Sequence, residues 1–316
     1  MRPGGLEIGH LRGRAAGPTL LLIGGLHGNE PAGVAAARRV LDRLGGDPGL
    51  AASIAGEVVA FQGNVAALAA GRRYLARDLN RQWTPALVAA ARAAAEPDPE
   101  TAVLAALAGE LDRVLERARG PVFALDLHTT SAGGIPFAIA GGAAADRSFA
   151  REVPLPVIVG LQESLGGTLT EYLAARGCVP LAIEGGQNDS PAAAAHLEAA
   201  IAVGLAAAGV VLLPELEASR GLLRRARGDL PGFIEVALRH PVGPGFSMEP
   251  GFANIHPCPA GTLLARDHGG EIRAPFDGLV LMPLYQAQGS DGFFFGREVQ
   301  PPCGPPVAPS APGSNT

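Results

Sequence analysis

Two short histidine motifs carry the strongest chemical signal in this sequence. The first is Gly24-Gly25-Leu26-His27-Gly28-Asn29-Glu30, which follows an apolar run, Pro18 to Ile23, that reads as a buried strand. His27 and Glu30 are three residues apart on a glycine-rich turn entering a helix, so an imidazole and a carboxylate can converge on one point. The second is Asp126-Leu127-His128-Thr129-Thr130, at the end of another apolar run, Pro121 to Leu127. Two imidazoles and one carboxylate form the donor set of a catalytic zinc site, which keeps a position open for water. Asp126 lies two residues before His128, on the same pleat face, where it can hold the imidazole by its second nitrogen. The competing reading of either motif alone is a polar loop that only caps a helix. Two such strand ends in this order favour the metal site.

Two further segments offer groups such a site needs. Residues 72–81 (RRYLARDLNR) gather four guanidiniums and one amide. Arginine is the preferred partner for bidentate carboxylate binding, and Asn80 with Arg81 can fix one carboxylate. Standing alone, the run would read as a solvated loop. Leu181-Ala182-Ile183-Glu184-Gly185-Gly186 ends an apolar run in a carboxylate. A glutamate beside a metal-bound water is the usual general base, although a strand-end glutamate can equally pair with an arginine.

The elements that must position these groups alternate in type. Strands are expected at 18–23, 57–61, 121–127, 135–140, 155–159 and 178–183. Helices are expected at about 31–44, 84–95, 100–118, 168–176 and 192–208. In the first helix Val34, Ala37, Leu41 and Leu44 share one face, Asn29 is the expected cap and Gly45-Gly46 the end. This alternation predicts an α/β fold, doubly wound on a mostly parallel sheet. In such sheets ligands bind beyond the carboxyl ends of the strands. From Pro214 the chain runs in shorter, Gly- and Pro-rich segments, with strands expected at 232–238, 261–265, 270–274, 279–282 and 292–299. The expected organisation is a catalytic domain over 1–213, a smaller all-β capping domain over 214–299, and a Pro- and Ser-rich disordered tail over 300–316.

Composition narrows the function. Of 316 residues, 47% are hydrophobic and 17% charged, which supplies a large core. All 25 basic residues are arginine. Without lysine there is no Walker A loop, no Schiff base and no carrier lysine for biotin or lipoate. A formal charge of -5 argues against a nucleic-acid partner. The cysteines, Cys178, Cys258 and Cys303, form no CxxC pair, so neither a disulfide framework nor a thiolate zinc site is implied. The first apolar run is too short for a signal peptide, and the longest, Ala199 to Leu213, is too short to span a bilayer. A cytoplasmic protein without a membrane partner is expected; a homo-oligomer stays open.

As an ordered set, GGLHGNEPAG, RRYLARDLNR, LDLHTT and IEGG resemble the succinylglutamate desuccinylase and aspartoacylase family, relatives of the zinc carboxypeptidases. The resemblance runs from about Thr19 to Arg297. It implies one Zn2+ per chain held by His27, Glu30 and His128. It also implies Glu184 as the general base, and Arg73 as the group that polarises the scissile carbonyl and stabilises its oxyanion. Asn80 and Arg81 would grip a substrate carboxylate. The implied reaction is hydrolysis of the amide bond of a small N-acyl amino acid. The segment Ala274 to Pro283 is similar to the family's barrel-like β-domain, which would cap the site.

The sequence also departs from the family. Where aspartate-specific members carry a Tyr and an Arg that hold a side-chain carboxylate, the matching positions are Thr170 and Ala174, with Arg176 out of register. The aspartate-type side-chain pocket is therefore not expected, and the amino acid released need not be acidic. Tyr285 is a candidate pocket residue, with a structural tyrosine as the alternative. Two rivals remain: a zinc carboxypeptidase acting on short peptides, against which a capped mouth argues, and a metal-free binding protein that kept the fold.

Overall fold

The structure, a computed structural model, describes residues 5–300. Its strands are β1 (Glu7–Arg12), β2 (Ala15–Gly24), β3 (Ala55–Gln62), β4 (Val122–Thr130), β5 (Phe137–Ala140), β6 (Val157–Val159) and β7 (Val179–Gln187). The later ones are β8 (Phe233–Pro241), β9 (Ser247–Met248), β10 (His256–Cys258), β11 (Leu263–Asp267), β12 (Gly270–Arg273), β13 (Gly278–Leu281) and β14 (Asp291–Glu298). Eleven of them form one sheet in the order β1-β3-β2-β4-β7-β5-β6-β8-β14-β13-β10. β9, β11 and β12 form a separate small sheet.

The centre of the large sheet is parallel, from β3 through β2 and β4 to β7. Side chains alternate along these strands, so each apolar run feeds two cores. Leu20, Leu22, Leu125 and Leu127 pack on one face with the helices Ala32–Gly46 and Pro191–Ala207. Leu21, Ile23, Val59 and Phe61 pack on the other with the helices Pro85–Ala93, Pro99–Arg117 and Leu169–Ala174. The expected α/β fold, with a mostly parallel central sheet covered on both faces, is what forms. β5 then enters antiparallel beside β7, β6 and β8 continue parallel to β5, and the C-terminal strands β14, β13 and β10 extend the same sheet antiparallel.

Three of the differences from the expectations bear on the site or on the domain division. β4 and β7 run past Leu127 and Ile183, so His128 and Glu184 are strand residues. Asn29 does not cap the first helix: Pro31 occupies the N-cap without a side-chain bond, and the Asn29 amide donates to Gln286 Oε1. The segment after Pro214 opens with a helix, Leu216–Arg227, before its strands begin. That helix is arginine-rich and buries little beyond Ser219 and Leu223, which weakens its apolar signature. The tail expected to be disordered lies, after Gln300, outside the described residues. Among the described residues no helix is long and apolar enough to cross a membrane.

Candidate active site

β2, β4 and β7 are neighbours, so their carboxyl ends meet at one place. β2 leads into the turn that carries His27 and Glu30. Gly25 makes that turn with φ 70°, a conformation that favours glycine. A Cβ on Gly28 would fall 2.0 Å from the Ala67 backbone, so only glycine lets the turn pass there. On β4, Asp126 and His128 share a face; on β7, Ala182 and Glu184 do the same. The register pairs His128 with Glu184 and Asp126 with Ala182.

Glu30 is the hub of the cluster. Its Oε1 lies 2.9 Å from His27 Nδ1, and its Oε2 lies 2.9 Å from His128 Nδ1. The Thr129 N–H also donates to Oε2. The other nitrogen of each imidazole faces a second carboxylate: His27 Nε2 is 3.1 Å from Asp78 Oδ1, and His128 Nε2 is 3.0 Å from Asp126 Oδ1. One ligand atom from each of His27, Glu30 and His128 lies within 4.8 Å of the others, and all three residues are buried. The donor set fits a divalent cation chemically. Five carboxylates (Glu30, Asp78, Asp126, Glu184 and Asp291) line the cavity against two guanidiniums, those of Arg73 and Arg81. Each imidazole already has a carboxylate on its far nitrogen to fix its orientation.

The charges respond to this crowding. Burial disfavours the charge on Glu30, yet His27 and His128 outweigh it and hold the carboxyl well below the usual range. Asp78 behaves likewise, with His27, Arg73 and Arg81 opposing its burial. Burial works against a charged His128, and Asp126 and Glu30 overcome it, raising the imidazole well above its ordinary value. Glu184 goes the other way. Burial dominates and pushes its carboxyl up to about 8; His128 and Arg73 oppose the shift, while Glu30 and Asp126 add to it. Glu184 Oε2 is buried and has no hydrogen-bond partner among the described residues.

The arginine run folds over this cluster. The Arg73 Nε and Nη2 donate to Asp78 Oδ2, and Nη1 lies 3.6 Å from Glu30 Oε1. Asp78 also accepts from the Asn80 N–H, which sets the turn Leu79–Arg81. The Asn80 side chain reaches His128 Nε2 at 3.4 Å and accepts from the Leu169 N–H. Arg81 donates to Asn80 O and, at 3.3 Å, to Asp291 Oδ2 on β14. The seven residues expected as metal ligands, base, oxyanion donor and carboxylate grip (His27, Glu30, His128, Glu184, Arg73, Asn80 and Arg81) line one cavity of about 120 Å³.

Other residues of the cavity were not foreseen. Asp78 stood in the arginine run without an assigned role, and its position before Leu79-Asn80 is the cap signal that could have marked it. Asp291 and Gln286 come from the C-terminal segment, where no local spacing points at the site. Thr170 lines the cavity, whereas Ala174 is not among the described lining residues. Arg176 stacks on the Tyr172 ring instead. Tyr285 is not among them either: it is exposed, donates to Glu249 O and accepts from the Phe252 N–H, which is the structural alternative. The C-terminal segment is fixed to the site by buried Asn254, which donates to Thr130 Oγ1 and accepts from the Met282 N–H.

No curated protein matches the sequence. Among solved structures, the chain is similar to a succinylglutamate desuccinylase/aspartoacylase from Rhodobacter sphaeroides, at 21% identity and TM-score 0.68, covering 92% of this chain and 88% of that one. A product-bound ectoine utilization protein EutE (DoeB) from Ruegeria pomeroyi gives 21% and 0.65, covering 91% and 87%. A succinylglutamate desuccinylase from Vibrio cholerae gives 18% and 0.63, covering 90% and 82%. At such identities these structures share the fold. The family model of the succinylglutamate desuccinylase/aspartoacylase catalytic domain matches residues 16–202, which span both histidine motifs, the arginine run and Glu184, and the chain belongs to that family.

Proposed function

We propose that the protein is a zinc-dependent hydrolase that cleaves the amide bond of an N-acyl amino acid or a related small N-acyl compound. The observation that carries this reading is the pairing of Glu184 with His128. A buried carboxylate with an unpartnered oxygen sits across one strand register from a His-Glu-His cluster. His27, Glu30 and His128 would hold the zinc, which when bound lowers the pKa of water and polarises a carbonyl.

The remaining roles fall to the chain's own side chains. Glu184 takes a proton from the attacking water at Oε2 and returns it to the departing nitrogen. The shift of its carboxyl toward neutrality suits a group that must both accept and donate. Arg73 offers N–H donors to the scissile carbonyl oxygen, where negative charge develops. Asp78 keeps the Arg73 guanidinium and the His27 ring in place. Arg81 and Asn80 bind the carboxylate of the substrate. The segment around Met282 and Asp291 lines the cavity from the C-terminal side.

The test combines metal content with turnover on one purified sample. About one zinc per chain is expected, with release of free amine from a panel of N-acyl amino acids. His128→Ala should lose both zinc and activity. Glu184→Ala should keep zinc and lose activity. A chain that takes up no zinc would sink the reading, and zinc with turnover of dipeptides alone would replace it by a carboxypeptidase.

A further inference from the structure

The cavity around the His-Glu-His cluster is chemically two-sided. One side is the cluster itself with Arg73 and Arg81. The other is a set of apolar side chains that begins beside Glu184, with Ser131, Thr168, Thr170, Gln286 and Ser290 also in the lining. On β7, Ala182 shares its face; on β5, Ile139 stands directly across from Ala182. Leu161, Leu165, Met282 and Phe294 extend the wall. Ile139, Leu161, Ala182 and Phe294 belong to one buried cluster against which Leu165 and Met282 pack. The wall is therefore backed by core packing, and it cannot turn a polar group toward a ligand without opening that core.

The cations of the cavity are already engaged. Arg73 and Arg81 are the arginines among the described lining residues. Arg73 is held by Asp78 and Arg81 by Asp291. Asp291 is in turn bound by Arg239 at 2.6 Å and by the Ser290 hydroxyl. A substrate carboxylate can share Arg81 with Asp291. A second carboxylate would find hydroxyl and amide groups such as Ser131, Thr168, Thr170 and Gln286, but no further cation among the described lining residues, and burying a charge without a counter-charge is unfavourable.

We propose that the variable group of the substrate is apolar and uncharged, so that the site takes monocarboxylate N-acyl compounds with an aliphatic or thioether chain and discriminates against dicarboxylates. This rests on reading the site as that of an amide hydrolase. The apolar chain can belong to the acyl group or to the amino acid, and both would fill the same wall.

The experiment uses the zinc-loaded full chain. Values of kcat/KM are compared for N-acetylleucine and N-hexanoylglycine against N-acetylaspartate and N-succinylglutamate. An advantage of about 100-fold for the better apolar substrate is expected, the range that a few methylenes and an unpaired charge produce. Which of the two apolar compounds wins tells which end lies on the wall. In parallel, calorimetry measures binding of hexanoate and succinate, where no bond is cut; hexanoate should bind about 10-fold more tightly. Asp291→Asn releases Arg81 and should raise succinate binding relative to hexanoate about 10-fold. Ile139→Val should lower the preference for the apolar substrate several-fold, with folding checked by thermal unfolding. Hexanoate preference without any amide turnover would support the apolar site and remove the hydrolase reading. Amide turnover with equal or better use of dicarboxylates would overturn the inference and leave the hydrolase reading intact. Binding of neither acid would overturn it as well.

Discussion

Glu100→Gln tests how the arginine loop is held over the site. Glu100 is fully buried in the first turn of the helix Pro99–Arg117. Its Oε1 accepts from Asn64 Nδ2 and the Leu75 N–H, and its Oε2 from the Ala76 and Arg77 N–H groups. One carboxylate thus stands in for an entire missing turn of backbone acceptors in the loop that carries Arg73, Asp78, Asn80 and Arg81. Glutamine can keep Oε1 as an acceptor but sets an NH2 against the Ala76 and Arg77 donors. A buried donor left unpaired costs about 1–3 kcal/mol. Ala76 and Arg77 are exposed residues, so their N–H groups can turn to water, and the loss should settle near 2 kcal/mol. The consequence is a loosened loop. The Gly28 N–H donates to Arg73 O, so the His27 turn loosens with it. Amide hydrogen exchange at 75–77 should speed up by at least about 10-fold, zinc affinity should weaken about 10-fold, and Tm should fall by about 3 °C. Burial disfavours the charge on Glu100, but Asn64 and the three backbone donors prevail and lower its carboxyl from 4.5. A lowered carboxyl contributes stability that is present above pH 4.5 and lost as pH falls through its folded value. The gap between wild type and Glu100→Gln should therefore close in acid. Unchanged exchange at 75–77 together with unchanged zinc affinity would refute the reasoning.

Two further predictions lie away from the site. Burial pushes the Asp146 carboxyl up to about 6, against a backbone bond from Ala143 and the charge of Arg147. A raised carboxyl makes the folded state lose stability as pH rises from 3.8 through about 6. Asp146→Asn should thus be neutral near pH 4 and gain about 1 kcal/mol at pH 7, after discounting for solvent screening. Thermal unfolding at the two pH values checks this, and a loss at pH 7 would contradict it. Burial also pushes the Cys178 thiol up to about 12, with Arg176 opposing only in part. Because the thiolate is the reactive form, iodoacetamide at pH 8 should leave Cys178 unmodified in the native chain and modify it after denaturation. Peptide mass mapping would expose an error as rapid native labelling.

Much of the site was legible because its chemistry sits at strand ends, where local spacing is enough. His27-x-x-Glu30, Asp126-x-His128 and Ile183-Glu184 each show an apolar run breaking into a ligand-type residue. The parallel pairing of β2, β4 and β7 then brings these ends together. The groups that orient them were hidden because their partners are distant in the chain. Asp78 meets His27 across 51 positions, and Arg81 meets Asp291 across 210. Glu100 was hidden for a different reason. A glutamate in a first helical turn is already explained by the helix dipole, so nothing marks it as the anchor of another loop.

The apolar wall was hidden most completely, because it is a property of register. β5 reads Phe137-Ala138-Ile139-Ala140, and all four residues are buried. Antiparallel pairing with β7 sets Phe137 opposite Glu184 and Ile139 opposite Ala182, so the large residues share the face of Glu184. A slip of one residue would turn Ala138 and Ala140 to that face instead and send Ile139 to the core on the other side. The composition of the strand would be unchanged, yet the cavity would lose its floor beside Glu184. The apolar lining beside Glu184 therefore depends on the pairing of β5 with β7 as much as on the residues themselves, and no spacing within the segment could announce it.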